Sequence, residues 1–265
     1  MLSSSSSDVA APPALRVKDL RKSFGGAVVV DVDTLDIPSR GVTALIGPNG
    51  AGKTTMFDLL SGFVRPSRGS IEYGGRQLAG QSPEWRARHG LVRTFQLTRV
   101  FDRLTVLENM LIGILPDAHM GLTSSVLRWR FSRHALHAAE EKAHDLLGQV
   151  GLGPVAGLLA GDLSGGQKKL LEFSRARMAD PMMLLLDEPL AGVNPAVRER
   201  MLDHIRAFVA ADRGVILVEH DLPRVMQIAD RVIVLDRGKV IADGPPALIG
   251  EDAAVIEAYL GGAAR

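Results

Sequence analysis

A glycine-rich loop directly after an apolar run is the feature that most restricts how this chain can fold. The run covers residues 42–46, and the loop over residues 47–54 reads Gly-Pro-Asn-Gly-Ala-Gly-Lys-Thr, which matches the spacing G-x-x-x-x-G-K-[ST]. Its three glycines let the backbone turn tightly enough for successive N–H groups to converge on an anion. The sequence therefore predicts a β-strand, a phosphate-binding loop and a helix over residues 54–61 in direct succession.

Two side chains at the end of this loop have separate predicted roles. Lys53 neutralises terminal phosphate oxygens, and Thr54 supplies a hydroxyl ligand for Mg²⁺. The alternative is a glycine-rich turn that binds nothing, and the complete spacing after an apolar run argues against it. The loop residues predicted to contact a bound nucleotide are Gly47, Pro48, Asn49, Gly50, Ala51, Gly52, Lys53, Thr54 and Thr55.

The charge balance and composition argue against several classes of protein. The 265 residues contain 31 basic and 30 acidic side chains, so no overall positive field attracts nucleic acid, and we expect no nucleic-acid partner. The chain has no cysteine, which excludes disulfides and thiolate metal sites. Residues 1–13 open with a serine run and lack the pattern of a secretion signal, which predicts a disordered tail. No apolar run is long enough to span a bilayer.

The order of the apolar runs predicts an α/β fold. Runs at residues 182–186, 215–218 and 232–235 are separated by helical segments, and strands that alternate with helices form a parallel, doubly wound sheet. Turn residues at 236–239 predict a terminal hairpin. Three short β-rich segments before the phosphate loop predict an N-terminal antiparallel sheet, and they are residues 15–17, 28–30 and 35–37.

The middle of the chain differs from both ends. Between Thr105 and Leu159, leucine, alanine, histidine and arginine recur at helical spacing. A glycine- and proline-containing segment at 151–157 marks the return from this region. The pattern predicts a helical subdomain inserted into the α/β core.

Two carboxylates follow the apolar run at residues 182–186. Because ligands bind at the carboxyl ends of the strands in open α/β sheets, Asp187 and Glu188 are expected at the same edge as the phosphate loop. Asp187 is the predicted partner of Thr54 at Mg²⁺, either as a direct ligand or through a group that is itself bound to the ion, and Glu188 is the predicted general base that polarises a water for attack on a γ-phosphate. Capping of the next helix is the alternative role for this pair.

A second glycine-rich helix start, Leu-Ser-Gly-Gly-Gln at residues 163–167, gives the chain two helix ends suited to anions. Together with the phosphate loop and Leu-Leu-Leu-Asp-Glu-Pro at 184–189, it resembles the ATP-binding subunits of ABC transporters, whose signature motif is LSGGQ. The resemblance extends from Val17 to Leu260. It implies a P-loop NTPase core with a mixed central sheet, an N-terminal antiparallel β-subdomain and an inserted α-helical signature subdomain. The implied ATPase domain covers residues 14–265, with the insertion at about 97–175.

The resemblance assigns roles to three more residues. Phe24 corresponds to the aromatic residue that stacks on adenine, Gln96 to the glutamine that touches Mg²⁺ and the attacking water, and His220 to the switch histidine that contacts the γ-phosphate. Each has a structural alternative, as a core aromatic residue, a surface residue and a hydrogen-bonded strand-end histidine respectively.

In this family, two domains dimerise head to tail, so that ATP on one phosphate loop is covered by the signature motif of the other domain. The signature residues with this predicted role are Ser164, Gly165, Gly166 and Gln167. A groove beside Gln96 is implied as the contact with membrane-spanning partners. Five nearby arginines are predicted either to line that groove or to form an ordinary solvated face, and they are Arg86, Arg88, Arg93, Arg99 and Arg103.

The loop after the predicted base is similar to one subgroup of the family. Residues 190–195 read Leu-Ala-Gly-Val-Asn-Pro and resemble the AGLNP form of branched-chain amino acid importers, with Val193 in place of leucine. Members of that subgroup often carry YGDQ or YGQQ in the signature, whereas this chain has SGGQ.

The resemblance therefore implies an Mg²⁺-dependent ATPase subunit of an importer for branched-chain or related hydrophobic amino acids, at the cytoplasmic face of the inner membrane. The implied partners are permease subunits, a second ABC ATPase and, indirectly, a substrate-binding protein outside the membrane. Urea or amide importers and the lipopolysaccharide-export ATPase are the near alternatives. A soluble ABC ATPase that acts on ribosomes or DNA is the alternative from a different class.

Overall fold

Two β-sheets with a helix packed between them form the framework of the fold. The computed structural model describes residues 13–94, 100–114, 125–219 and 222–261. The strands in these residues are β1 (Pro13–Phe24), β2 (Ala27–Pro38), β3 (Gly41–Ile46), β4 (Arg68–Tyr73), β5 (Arg76–Gln77), β6 (Leu91–Arg93), β7 (Met183–Asp187), β8 (Gly214–Val218), β9 (Arg231–Asp236) and β10 (Lys239–Gly244). The helices are α1 (Lys53–Ser61), α2 (Pro83–Arg88), α3 (Val106–Leu111), α4 (Ser125–Gln149), α5 (Gly165–Arg177), α6 (Pro195–Ala210), α7 (Leu222–Ile228), α8 (Pro246–Ile249) and α9 (Ala253–Gly261).

The N-terminal sheet is antiparallel, as predicted, with strand order β2-β1-β4-β5. The segments 28–30 and 35–37 were expected as separate strands, but they belong to the single strand β2, which pairs with β1 from Phe24↔Ala27 to Pro13↔Pro38. The physical reason is that no turn-forming glycine or proline interrupts β2 between the two segments. Turn formation falls instead at Gly25 and Gly26, where φ is +52° and +90°.

The central sheet has the order β10-β9-β3-β8-β7-β6. Strands β9, β3, β8, β7 and β6 are parallel neighbours, and β10 returns antiparallel to β9, so the predicted mixed sheet and terminal hairpin are confirmed. Strand β3 lies in the middle, next to β8 and β9. The strand that delivers the phosphate loop is therefore paired along both edges, and the loop leaves from the rigid centre of the sheet.

The two faces of the central sheet carry different parts of the core. Side chains alternate along each strand, so that Leu45 and Ile216 face α1 and the N-terminal sheet, whereas Leu184 and Leu217 face the outer helices. Helix α1 is enclosed between the two sheets, and its Phe57 is completely buried. The helix that follows the phosphate loop is therefore held on both sides.

The outer helices include the region predicted as an insertion. Helices α3, α4 and α5 lie between β6 and β7 in the chain and pack on one face of the central sheet. The boundaries predicted for this subdomain and for the N-terminal tail stay predictions, because residues 1–12 and 95–99 lie outside the described part. In the ranges that the structure describes, no helix is both long enough and apolar enough to cross a membrane.

Arg86 joins α2 to the end of α1 and to Leu78, which follows β5. Its side chain is buried on α2, where Nη1 donates to the carbonyl oxygens of Leu59 and Leu60, both at 2.7 Å, and Nη2 donates to Leu78 O at 2.9 Å. Burial lowers the pKa of Arg86 to about 10. The expectation that Arg86 lines a surface groove or a solvated face is therefore wrong. Arg88, on the opposite side of the short helix, is exposed.

We predict that Arg86→Met lowers the free energy of unfolding by about 3 kcal/mol, because three buried carbonyl groups lose a charged donor. Arg88→Met is the matched control on the same helix, and it should change stability by about 0.5 kcal/mol or less. Urea denaturation followed by circular dichroism measures both. Equal stability of the two variants would show that water replaces the guanidinium without cost.

Candidate active site

The phosphate loop lies so close to its neighbours that two of its positions have no room for a side chain. At Gly47, with φ of +151°, a Cβ atom would lie 2.0 Å from Leu235 O. At Gly52, with φ of +98°, a Cβ atom would lie 2.6 Å from Val29 O. The glycine spacing of the motif is therefore required by backbone packing as well as by turn geometry.

Backbone hydrogen bonds clamp the loop from outside. The N–H of Gly238, in the β9–β10 turn, donates to Ala51 O at 2.9 Å, and Gly238 O accepts from the N–H of Asp31 on β2 at 2.8 Å. The loop is thus tied to both sheets through one turn.

Lys53 closes the loop across its open side. Its Nζ donates to Gly47 O at 2.7 Å and to Pro48 O at 3.0 Å. Burial lowers the pKa of Lys53, and the charge of Glu188 partly opposes that shift. Thr54 follows in the first turn of α1 with an exposed side chain, and Thr55 is half-buried. The structure therefore brings the lysine near the predicted base and leaves the Thr54 hydroxyl accessible.

The two predicted carboxylates stand at the end of β7 in different environments. Asp187 is 3% exposed, and its Oδ2 accepts from Arg93 Nη2 at 2.9 Å. Burial raises the pKa of Asp187, and Arg93 opposes that shift. Glu188 is half-buried, has φ of +47°, and donates its N–H to Val218 O at 3.1 Å. One carboxylate is thus held rigidly inside, and the other turns outward at the sheet edge.

The donor set fits Mg²⁺, which prefers oxygen ligands and keeps several waters. The Thr54 hydroxyl is exposed, and Oδ1 of Asp187 accepts no hydrogen bond within the described residues. Across the described ranges, no cluster of three or more histidine, cysteine or acidic side chains could hold a metal by itself. Both findings agree with an Mg²⁺ site that has few protein ligands and also needs phosphate oxygens of the nucleotide as ligands.

The signature motif forms the start of α5. Ser164 is the N-cap and accepts from Gln167 N at 3.3 Å, while Gln167 Oε1 accepts from Ser164 N at 3.0 Å. This reciprocal capping box satisfies part of the helix end with the chain's own side chains. Gly165 is exposed with open space around it, whereas Gly166 packs against Val197. The Gln167 side chain is thus engaged locally, and the backbone of Gly165 is exposed.

Phe24 lies at the end of β1 with 50% of its surface exposed. Lys22 Nζ lies 4.7 Å from the centroid of the ring and donates to Arg65 O at 2.9 Å. An aromatic ring held beside a cation and half open to solvent suits stacking on a base.

Gln96 and His220 lie outside the described residues, so their roles stay predictions. Two neighbouring residues are described. The N–H of Thr94 donates to Leu185 O at 2.9 Å, which extends the pairing of β6 with β7 toward Gln96. Glu219, which precedes His220, is 1% exposed, and its Oε1 accepts from Leu190 N at 3.1 Å.

Several residues near the site were missed by the sequence reasoning. Glu219 follows β8 and holds the loop after Asp187 against the end of that strand. The sequence signal that could have identified it is a carboxylate at the end of an apolar strand. Lys169 on α5 donates to Glu188 O at 2.9 Å. Tyr259 on α9 lies beside Gly47; burial raises the pKa of its phenol, and the backbone of Gly47 partly opposes that shift. No local pattern indicated the contact of Tyr259, because it joins distant parts of the chain.

A groove of about 280 Å³ opens between β6 and the helices α3 and α5. Residues that line it include Val92, Arg93, Thr94, Ile112, Glu172 and Arg175. Of the four predicted arginines that the structure describes, Arg93 lines this groove, Arg86 is buried elsewhere, and Arg88 and Arg103 are exposed outside it. Arg99 lies outside the described residues.

Arg175 is a further groove residue that was not predicted. Its Nη1 is buried without a hydrogen-bond partner within the described residues, and its Cζ lies 5.8 Å from the centroid of the Phe101 ring. Burial lowers the pKa of Arg175, and Glu172 opposes that shift. The groove therefore combines apolar side chains with Arg175, which can donate a further hydrogen bond through Nη1.

An α/β core with a phosphate loop, a carboxylate pair at the same sheet edge and a capped signature helix defines an ATPase of the ABC type. Comparison with known proteins agrees. A model of the ABC transporter family matches residues 30–191, and a model described as branched-chain amino acid ATP-binding cassette transporter matches residues 239–265. The chain belongs to the ABC transporter family, so the predicted resemblance and fold class are confirmed.

Individual relatives agree with this assignment over nearly the whole chain. The high-affinity branched-chain amino acid transport ATP-binding protein BraF of Pseudomonas aeruginosa is 38% identical over 258 residues, which cover 94% of this chain and 98% of BraF. Its counterpart LivG of Escherichia coli is 38% identical over 251 residues, with coverage of 94% and 98%. The crystal structure of an ABC transporter ATP-binding cassette in its ADP conformation has a TM-score of 0.80 at 31% identity, with coverage of 94% and 99%.

Proposed function

We propose that this chain is the ATP-hydrolysing subunit of an ABC importer for branched-chain or related hydrophobic amino acids. The observation that carries the proposal is the placement of two motifs at one sheet edge. Strands β3 and β7 both pair in parallel with β8, so the phosphate loop and Glu188 follow strand ends on the same side of the sheet. A cationic phosphate ligand beside a half-buried carboxylate is the arrangement that hydrolysis of a terminal phosphate requires.

The residues at the nucleotide have different proposed roles. The backbone N–H groups of residues 47–55 and Lys53 hold the phosphates, and Phe24 stacks on the adenine. Thr54 and Asp187 would hold Mg²⁺, which when bound neutralises charge on the β- and γ-phosphates. Glu188 accepts the proton of the attacking water. Gln96 and His220 are proposed to orient that water and to contact the γ-phosphate.

The exposed signature motif supports a site that is completed between two ATPase domains. A Cβ at Gly165 would meet no other part of the described chain within 4 Å, so its backbone is free to approach a nucleotide on a facing domain. We infer a head-to-tail dimer in which residues 164–167 of one domain cover ATP bound to the other. ATP then favours the closed dimer, and loss of the γ-phosphate releases it, which is a ligand-driven population shift.

The groove between β6 and the outer helices is the proposed contact with the permease. Its apolar side chains and Arg175, whose Nη1 has no hydrogen-bond partner among the described residues, suit a helix end or an acidic side chain of a membrane subunit. The chain would then sit at the cytoplasmic face of the inner membrane, peripheral to the permease. A separate substrate-binding protein would deliver the amino acid on the other side.

The substrate class rests on relatives and on the C-terminal part of the chain. BraF and LivG are described as branched-chain amino acid transport proteins, and the second family model matches residues 239–265. Both favour this substrate class over urea, amides or lipopolysaccharide.

We predict that Glu188→Gln leaves ATP binding intact and lowers turnover by a factor of about 10² to 10⁴, because a general base is lost while the shape is kept. Lys53→Ala is the contrasting variant, and it should abolish tight binding of Mg²⁺–ATP because the charge that faces the phosphates is removed. Calorimetry and phosphate release measure the two effects separately. Turnover of Glu188→Gln at the wild-type rate would remove Glu188 from the base role.

The head-to-tail dimer is testable because the chain has no cysteine of its own. With Asn49→Cys and Ser164→Cys introduced together into the Glu188→Gln variant, oxidation in the presence of ATP should give a covalent species of twice the chain mass. Each single-cysteine variant is a control and should give no covalently linked dimer. A double-cysteine product that keeps the monomer mass but has lost both thiols would place the two motifs of one chain together and contradict the dimer.

The substrate class is tested by purifying the tagged chain from membranes with its bound subunits. The complex in vesicles, supplied with its binding protein, should accumulate labelled leucine, isoleucine or valine when ATP is present, and the Glu188→Gln complex should not. Accumulation of urea instead of these amino acids would reassign the substrate. Copurification with ribosomes and without membrane subunits would reject the transport role.

A further inference from the structure

Arg93 occupies an unusual position between the groove and the active site. It ends the edge strand β6, where it pairs in register with Leu185 of β7. Its side chain is only 8% exposed, so the guanidinium points into the fold and not along the surface. The carboxyl end of β7, where Asp187 lies, is therefore within reach of this side chain.

The guanidinium bridges two elements of the active site. Nη2 donates to Asp187 Oδ2 at 2.9 Å, whereas Nη1 donates to Asp58 Oδ1 at 2.5 Å and to Ser61 Oγ at 2.9 Å. Asp58 and Ser61 belong to α1, the helix that follows the phosphate loop. The planar fork of arginine suits such a bridge, since its donors have fixed directions.

Aromatic rings restrict the guanidinium further. Its Cζ lies 5.5 Å from the centroid of Phe57 and 5.6 Å from that of Phe63. Contacts of this kind hold an arginine in one orientation and strengthen its charge interactions by excluding water. Arg93 is thus a fixed group and not a mobile surface cation.

The surroundings of Asp187 indicate what the contact with Arg93 does. Asp187 is 3% exposed, and two further carboxylates lie nearby, since Glu188 follows it in the chain and Asp58 shares the Arg93 guanidinium. Arg93 donates to Asp187 Oδ2, and Oδ1 accepts no hydrogen bond from the residues that the structure describes. This contact therefore fixes the orientation of a buried carboxylate so that Oδ1 stays available.

We propose that Arg93 is a positioning residue for metal binding, which acts through Asp187 by holding Oδ2 and leaving Oδ1 for Mg²⁺. This inference rests on the proposed function, because it assumes that Asp187 is a metal ligand of the bound nucleotide. Arg93 itself touches neither nucleotide nor metal. Its link to Asp58 serves a different purpose, since it joins α1 to β6.

The experiment measures metal affinity directly, with Mn²⁺ in place of Mg²⁺. Free Mn²⁺ is followed by electron paramagnetic resonance in the presence of saturating ADP, and ADP binding without metal is measured in parallel with a fluorescent analogue in EDTA. Arg93→Met removes both ion pairs. Asp58→Asn is the matched control, because it removes the charge of the ion pair with α1 and keeps the contact with Asp187.

Arg93→Met should weaken Mn²⁺ binding by about 10- to 100-fold, the usual effect of removing a group that orients a metal ligand. Metal-free ADP binding should stay close to the wild-type value. Asp58→Asn should stay close to wild type in both measurements, and Arg93→Lys should recover part of the Mn²⁺ affinity, because lysine restores the charge without the fork.

Two outcomes would overturn the proposal. Unchanged Mn²⁺ affinity in Arg93→Met would show that Asp187 needs no orienting partner, and equal losses in Arg93→Met and Asp58→Asn would assign Arg93 a purely structural role. If Arg93→Met does not fold, Arg93→Lys against Asp58→Asn decides between the same outcomes. Failure of the wild-type chain to bind Mn²⁺ with ADP would reject the proposed ATPase site itself, whatever the variants do.

Discussion

The close approach of the phosphate-loop backbone to its neighbours is the constraint on which the rest of the structure depends. At Gly47, a side chain would collide with the carbonyl oxygen of Leu235, and at Gly52 with that of Val29. These contacts come from β9 and β2, so both sheets hold the loop in place. Because a preformed loop loses little conformational entropy when it binds an anion, the fold supplies affinity before any side chain acts.

Charge is then arranged around this fixed backbone. Lys53 donates to carbonyl oxygens of the loop, and Asp187 is buried against Arg93. Glu188 itself has a left-handed backbone conformation, which turns its side chain outward at the end of β7. Two adjacent carboxylates therefore differ in burial and in partners, which suits one to a metal and the other to a proton. The separation of roles follows from where β7 ends, since Asp187 is still inside the sheet and Glu188 is already beyond it.

Local sequence motifs predicted much of the site, but they did not identify which partners the charged side chains have. The phosphate loop, the carboxylate pair and the Ser164 cap were predictable, because each lies within one strand-loop-helix unit with fixed spacing. Arg86 and Arg93 looked alike in the sequence, yet one holds the end of α1 through backbone carbonyls and the other bridges two carboxylates. Their partners come from distant segments, so no local pattern could distinguish them.

The sequence by itself determined the parallel sheet, the phosphate loop and the signature helix start. These follow from side-chain periodicity and from turn and cap chemistry, which act between residues a few positions apart. The tertiary structure alone decided that α9 brings Tyr259 beside Gly47, that Glu219 anchors the loop at Leu190, and that one guanidinium connects the groove wall to Asp187. Such contacts depend on burial and on distances between elements far apart in the chain, and packing sets both.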